Sequence, residues 1–347
     1  MLTMQYKVTR KTLILPFIGI LVFVAYLYLF NIDIPEIIAT IQTINLPVYA
    51  VAAALVLFEI LFVSMSWRSL LSFLSVKLSI VKAYLYVSYG TFVDIIIPAE
   101  SLSSEITRVY LVTREHEGTG GKVVASLVVQ RFMGMGVNIA GLLVGVGILL
   151  ARPKINEWML ALTLVLAVLT AVFFGLLILL CIRRQWTLRI IDAVVKFARF
   201  ISRGRWNLTK LKDEAVKTAE IFHDSMTEFR RGPKTLLASM LSYMTSWILS
   251  LLIMHFVFLA LNYPVEWGTI LLTYSIMAAV RAVPLGIPFE AGIPEITMTG
   301  LYQLLGVPEV LAATSTILSR ILTLWLKFFI GFGAQQLLEF VMLRKNR

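Results

Sequence analysis

Five basic residues stand where a hydrocarbon-compatible chain should carry none: Arg108, Arg131, Arg281, Arg320 and Lys327. Four carboxylates, Glu100, Glu105, Glu290 and Glu295, lie near them in sequence, and Asn138 shares a helical face with Arg131. A charge at membrane depth costs at least ~2.5–3.5 kcal/mol on the gentlest scale, so such residues require partners or a polar ligand. The chemistry open to this set is charge pairing and recognition of a charged or zwitterionic group. Nucleophilic or metal chemistry has no comparable signature. The single cysteine, Cys181, excludes an intrachain disulfide and a cysteine metal site. The three histidines, His116, His223 and His255, are scattered, and no HExxH or paired-Asp motif occurs. No cofactor or metal is expected, and His255, on an apolar helix, reads as a packing residue.

Two breaks in otherwise apolar sequence position these charges. The stretch Arg281–Glu295 holds three prolines, two glycines and two glutamates, which rules out an ordinary spanning helix. The other break is Pro98-Ala-Glu-Ser-Leu-Ser-Ser-Glu105. Beyond each break the apolar run, Ile106–Thr113 or Ile296–Leu305, is too short to cross ~30 Å of hydrocarbon at ~1.5 Å per residue. Each break is therefore expected at the tip of a re-entrant hairpin. The first hairpin enters through Ser79–Ile97, with its polar tip at Pro98–Arg108, and the second enters through Trp267–Val283.

The rest of the chain supplies the frame. Of 347 residues 59% are hydrophobic and 15% charged, with a net charge of +11, the profile of a polytopic membrane protein. Nucleic acid is not the expected partner, because the basic residues follow the positive-inside pattern instead. Full spans are expected at Leu13–Phe30 (an uncleaved anchor), Leu46–Ser66, Val123–Leu150, Trp158–Ile182, Thr235–Leu261 and Val310 to about Leu343. Glu59, inside the second of these, reads either as a functional carboxylate or as one reaching the interface near Arg68. Gly331 and Gly333 offer a bend in the last helix. On Val123–Leu150, Arg131, Gly134, Asn138, Gly141 and Gly145 share one face, a packed and polar-lined stripe. Between the halves, Arg183–Lys234 carries 13 Lys/Arg against 6 Asp/Glu and forms a basic cytoplasmic segment with an amphipathic piece at Ile190–Ile201. With this topology, 24 of the 31 Lys/Arg fall on the cytoplasmic side and two outside, and both termini are cytoplasmic. Residues 1–347 are expected to form a single integral membrane domain.

The two hairpins match each other. Ser104-Glu105-Ile-Thr-Arg108 corresponds to Pro294-Glu295-Ile-Thr-Met298, and Ser126-Leu-Val-Val-Gln-Arg131 to Ser315-Thr-Ile-Leu-Ser-Arg320. The first hairpin opens inward and the second outward, so the repeat is inverted, the architecture of alternating-access transporters. Arg131 and Arg320 lie roughly 13 and 16 Å along their helices, too deep to snorkel easily. Glu105 and Glu295 are their nearest candidate partners, with Glu100 and Glu290 next. On the Arg320 helix, Thr316, Thr323 and Lys327 extend the polar stripe.

At these residues the sequence resembles the transmembrane flippase region of lysylphosphatidylglycerol synthases, a flippase-like family of bacteria and archaea. Pro98, Glu105, Arg108, Arg131, Pro284, Gly286, Glu295 and Arg320 fit the family pattern, with Ser103-Ser104 in place of glycines before the first glutamate. The resemblance, over about residues 10–340, implies an all-α polytopic protein of about six spans plus two re-entrant hairpins in the plasma membrane. It implies movement of an anionic, cationic or zwitterionic lipid through a cavity between the hairpins, with substrate contacts from the ten charged and polar residues that open this section. It does not carry over lipid lysylation, since the aminoacyl-transferase domain is not seen, and the reading is of a transporter rather than an enzyme. The alternatives are an ion-coupled carrier of a small hydrophilic anion and a membrane partner of a lipid-modifying enzyme; a homo-oligomer is also open.

Overall fold

The computed structural model describes residues 34–97, 102–151, 157–201, 209–281 and 292–345. Among these residues every regular element is helical. In chain order they are α1 (Ile34–Gln42), α2 (Leu46–Phe73), α3 (Ile80–Ile96), α4 (Leu102–Glu115), α5 (Gly120–Leu150), α6 (Glu157–Ile182) and α7 (Arg184–Ile201). Then come α8 (Thr209–Phe229), α9 (Pro233–Ala260), α10 (Trp267–Arg281), α11 (Ile293–Leu304) and α12 (Glu309–Arg320). A π-helical turn (Ile321–Leu326) leads directly into α13 (Lys327–Lys345).

The long helices follow from long apolar runs with no interior proline, and their ends follow from turn chemistry. Ser75, Asn262 and Gly306 take left-handed φ values of 63°, 55° and 92° just past α2, α9 and α11. At each, the N–H of the next residue returns five positions to a helix carbonyl: Val76 to Leu71 (3.0 Å), Tyr263 to Phe258 (3.1 Å) and Val307 to Tyr302 (2.9 Å). This Schellman closure satisfies the last carbonyls of each helix.

Among the described residues, five helices are long and apolar enough to cross a membrane: Leu46–Phe73, Gly120–Leu150, Glu157–Leu176, Pro233–Ala260 and Glu309–Phe340. They coincide with five of the six expected spans; the sixth, Leu13–Phe30, lies outside the described residues. The chain is an all-α, multi-pass membrane protein. Helices α3, α4, α10 and α11, which flank the two breaks, have 17, 14, 15 and 12 residues, short of the ~20 that a span needs.

The chain sorts into two compact units, one from residues 1–59, 88–104 and 248–347 and the other from 60–87 and 105–247. In the first, α11 packs on α10 and α12. The Thr299 hydroxyl donates to Thr316 Oγ1 at 3.1 Å across the α11–α12 contact, and Tyr49 OH donates to the Leu318 carbonyl at 2.9 Å. Tyr302 is buried edge-on against Phe258, with 4.9 Å between ring centroids. His255 stacks on Trp267 at 4.3 Å, a packing role. Gly331 lies within α13, which stays helical on either side of it. Its missing side chain lets the Ser88 carbonyl and Phe92 come against the helix. A π turn begins ten residues earlier, at Ile321.

In the second unit, α5 packs against α6 and α8. Trp67 is fully buried and its Nε1–H donates to Ser126 Oγ at 3.1 Å. Asn138, Gly141 and Gly145 of the α5 stripe are buried, while Arg131 and Gly134 are half-buried, with Tyr243 OH against Gly134. The basic segment forms α7 and α8, which pair through Arg184–Glu220 and through Lys212–Asp192 at 2.7 Å. Lys82 Nζ lies 2.9 Å from Glu115 at the end of α4.

Candidate functional site

The site in the first unit is built from the second break outward. Gly292 takes φ +91° immediately before α11, a conformation that glycine adopts without steric cost. Pro294 falls in the first turn, where its missing N–H leaves no bond unmade. Glu295 then stands three residues past the cap, and its Oε2 accepts the Gly292 N–H at 2.7 Å. Its Oε1 accepts from Arg320 Nε at 2.6 Å. The two side chains are 7% and 6% exposed, so the carboxylate is buried but bonded at both oxygens. This is how a buried ion pair avoids a large desolvation penalty.

Seven residues after Arg320, on the far side of the π turn, Lys327 reaches Glu59 of α2. Its Nζ is 2.8 Å from Oε1 and 2.7 Å from Oε2. Arg68, near which the alternative reading has Glu59 reach the interface, donates to the Leu78 carbonyl at 2.8 Å. Glu59 is thus held within the unit by an ion pair.

Both pairs border a cavity of about 200 Å³, far more than the ~10–15 Å³ that admits one water. Glu59, Arg320 and Lys327 line it, joined by Asp94 of α3 and Arg281 at the end of α10. Its apolar wall includes Ile253, Met254, Met277 and Met298. The helix before the first break (α3) and the helices on both sides of the second (α10 and α11) therefore all contribute. Thr273, only 1% exposed, also lines the cavity, and its hydroxyl has no hydrogen-bond partner among the described residues.

The second unit holds the corresponding first-motif residues. Arg131 Nε is 3.5 Å from Glu105 Oε1, with side chains 28% and 19% exposed, a looser and less enclosed pair. Arg108 is buried; its guanidinium lies 5.3 Å from the centre of the Trp67 ring and donates to Gln130 Oε1 at 3.3 Å. Gln130 in turn donates to the Val63 carbonyl at 3.0 Å. Asn138 is buried, and its side-chain oxygen has no hydrogen-bond partner among the described residues. Glu100 and Glu290 lie outside those residues. Of the ten sequence-derived candidates, Arg281, Arg320 and Lys327 meet at the cavity, with Glu295 directly behind Arg320.

Residues 17–331 match the family model described as the lysylphosphatidylglycerol synthase TM region. The chain belongs to that family. Among curated proteins, a UPF0104 membrane protein of Pyrococcus horikoshii is 21% identical over 277 residues, covering 79% of this chain and 82% of the relative. No solved structure matches the chain. The family match spans both breaks and both Glu–Arg pairs, so the charged cavity lies within the family's own region of the chain.

Sequence reasoning missed Asp94 and Thr273. A lone carboxylate in the apolar helix α3 was the available signal for Asp94, by the argument already applied to Glu59. Thr273 carries none, since a threonine in an apolar helix ordinarily bonds its own backbone. Chemically, the cavity offers cationic donors and carboxylate acceptors in an otherwise apolar surround. That suits holding a charged group away from lipid.

Proposed function

We propose that this member of the lysylphosphatidylglycerol synthase TM-region family moves a polar-headed lipid between leaflets, with the cavity of the first unit holding the headgroup. The observation that carries this reading is the set Arg281, Arg320, Lys327, Glu59 and Asp94 around one space of about 200 Å³. Charges in such a space lower the barrier that bare hydrocarbon sets against a headgroup. The cavity is smaller than the ~300–1,000 Å³ typical of sites that enclose a drug-sized ligand. It suits a headgroup whose acyl chains remain in lipid. The family's link to synthases of a lipid supports the same substrate class.

The short helices around each break support two re-entrant hairpins, α3–α4 opening to the cytoplasm and α10–α11 to the outside, in an inverted repeat. The bias of Lys and Arg supports cytoplasmic termini, and we set the protein in the plasma membrane. The test is transfer of a fluorescent phospholipid in proteoliposomes, read by an external quencher. The double variant Arg131→Gln/Arg320→Gln should keep its helical content and lose transfer. Wild-type rates in that variant would overturn the proposal.

The modest cavity volume favours one alternative, an ion-coupled carrier of a small hydrophilic anion. Uptake of soluble anion without any lipid movement would select it.

A further inference from the structure

The cavity's cations are arranged for more than mutual pairing with carboxylates. Arg281, Arg320 and Lys327 come from α10, α12 and α13 and line the same space. Thr273 adds a hydroxyl that is 1% exposed and has no hydrogen-bond partner among the described residues. A buried hydroxyl that lacks a partner loses the hydrogen bonds water would give it, so a ligand acceptor at that point satisfies it. Two guanidinium forks, one ammonium and one hydroxyl make a donor set suited to a tetrahedral oxyanion.

We propose that the cavity is a site for a phosphate group, and that Lys327 exchanges its Glu59 carboxylate for a phosphate oxygen when the ligand enters. Thr273 and Arg281 supply further donors. Arg320 stays bound to Glu295, because that carboxylate is also fixed by the Gly292 N–H at 2.7 Å. Glu59 has no such second anchor among the described residues; both of its oxygens face the same Lys327 ammonium. It acts as an internal placeholder that neutralises Lys327 and competes with an incoming anion. The phosphate could arrive on a lipid or on a soluble ester. The lipid source rests on the translocase reading above; the phosphate chemistry does not.

The experiment uses the full chain in nanodiscs and in proteoliposomes. Binding of glycerol 3-phosphate and of phosphatidylglycerol is followed by intrinsic tryptophan fluorescence, with a diacylglycerol carrying neutral glucose as the control. Phosphate-bearing probes should bind and the glucosyl lipid should not. Lys327→Gln should weaken phosphate binding about ten- to a hundredfold, the equivalent of one charge-assisted hydrogen bond. Thr273→Val, which keeps the side-chain shape, should weaken it by a smaller factor. Glu59→Gln should tighten binding several-fold, a gain that misfolding cannot imitate.

Equal binding of the glucosyl lipid, or weaker phosphate binding in Glu59→Gln, would overturn the phosphate exchange. Equal transfer of both lipids would do the same while leaving the translocase reading intact. Uptake of glycerol 3-phosphate with no lipid movement would support the phosphate site and end the translocase reading.

Discussion

Lys327 and Glu59, 268 positions apart in the chain, meet as an ion pair with Nζ 2.8 Å from one carboxylate oxygen and 2.7 Å from the other. Arg320 and Glu295, 25 positions apart, form a second pair at 2.6 Å. One helical stretch, interrupted only by the π turn, carries both cations, and both border the same cavity. The two pairs differ in how firmly the acid is held, and that difference sets the first expectation.

Removing one side of a buried pair leaves an uncompensated charge. Glu295→Ala should therefore cost about 3–5 kcal/mol, whereas Glu105→Ala should cost less because its pair is longer and less enclosed. Thermal or denaturant unfolding in detergent would read both. Equal losses would show that the two pairs are held alike.

Gly292 should resist substitution. At φ +91°, an alanine pays about 1–2 kcal/mol for the left-handed conformation. It would also disturb the N–H that anchors Glu295. Gly292→Ala should lower Tm and reduce ligand binding in the cavity together. A fall in Tm with unchanged binding would separate the cap from the site.

Two glycines only two residues apart, and so on nearly opposite faces of α13, should behave oppositely. A side chain at Gly331 would drive into the Ser88 carbonyl and Phe92, while one at Gly333 meets nothing within 4 Å. Gly331→Ala should destabilise by about 1–3 kcal/mol through overpacking. Gly333→Ala should stabilise by up to about 1 kcal/mol through helix propensity. A matched pair of melting curves decides it.

The Lys82–Glu115 contact gives a pH dependence outside the spanning segments. Burial pushes the Glu115 carboxyl up, but hydrogen bonds from Lys82 and Tyr86 and the charges of Lys82 and His116 outweigh it and hold the group below its ordinary 4.5. A depressed carboxyl contributes stability that is complete above the unfolded-state value and is lost as pH falls through the folded one. The wild type should therefore lose its advantage over Glu115→Gln as pH drops below about 4.5. Side chains 44% and 27% exposed limit the effect to a few tenths of a kcal/mol, smaller still in high salt. An advantage unchanged down to pH 3 would contradict the pairing.

The sequence made the spans readable because hydrocarbon thickness imposes a length that few other structures share. It also made Glu295–Arg320 readable, since the inverted motif places the two at matching positions around a break. The Lys327–Glu59 pair was not legible: nothing local links residues 268 apart, and Arg68 offered a nearer cation. The π turn was hidden as well, because Ile-Leu-Thr-Leu-Trp-Leu has no proline or glycine to mark it. The close approach at Gly331 was hidden for a related reason. Glycine in a helix signals either flexibility or close approach, and only the Ser88 carbonyl distinguishes them. Asp94 needed only the argument that had singled out Glu59.

The π turn leaves the last helix with slack between its two charged grips. Each i→i+5 ring encloses one residue more than an α ring. If that residue were drawn into α geometry, everything from Lys327 to Lys345 would screw along its axis by about 1.5 Å and through about 100°. Arg320 would keep its grip on Glu295 while Lys327 swung off Glu59. One helix would thus have a fixed end and a rotating end, and the rotating end carries the cation that Glu59 holds.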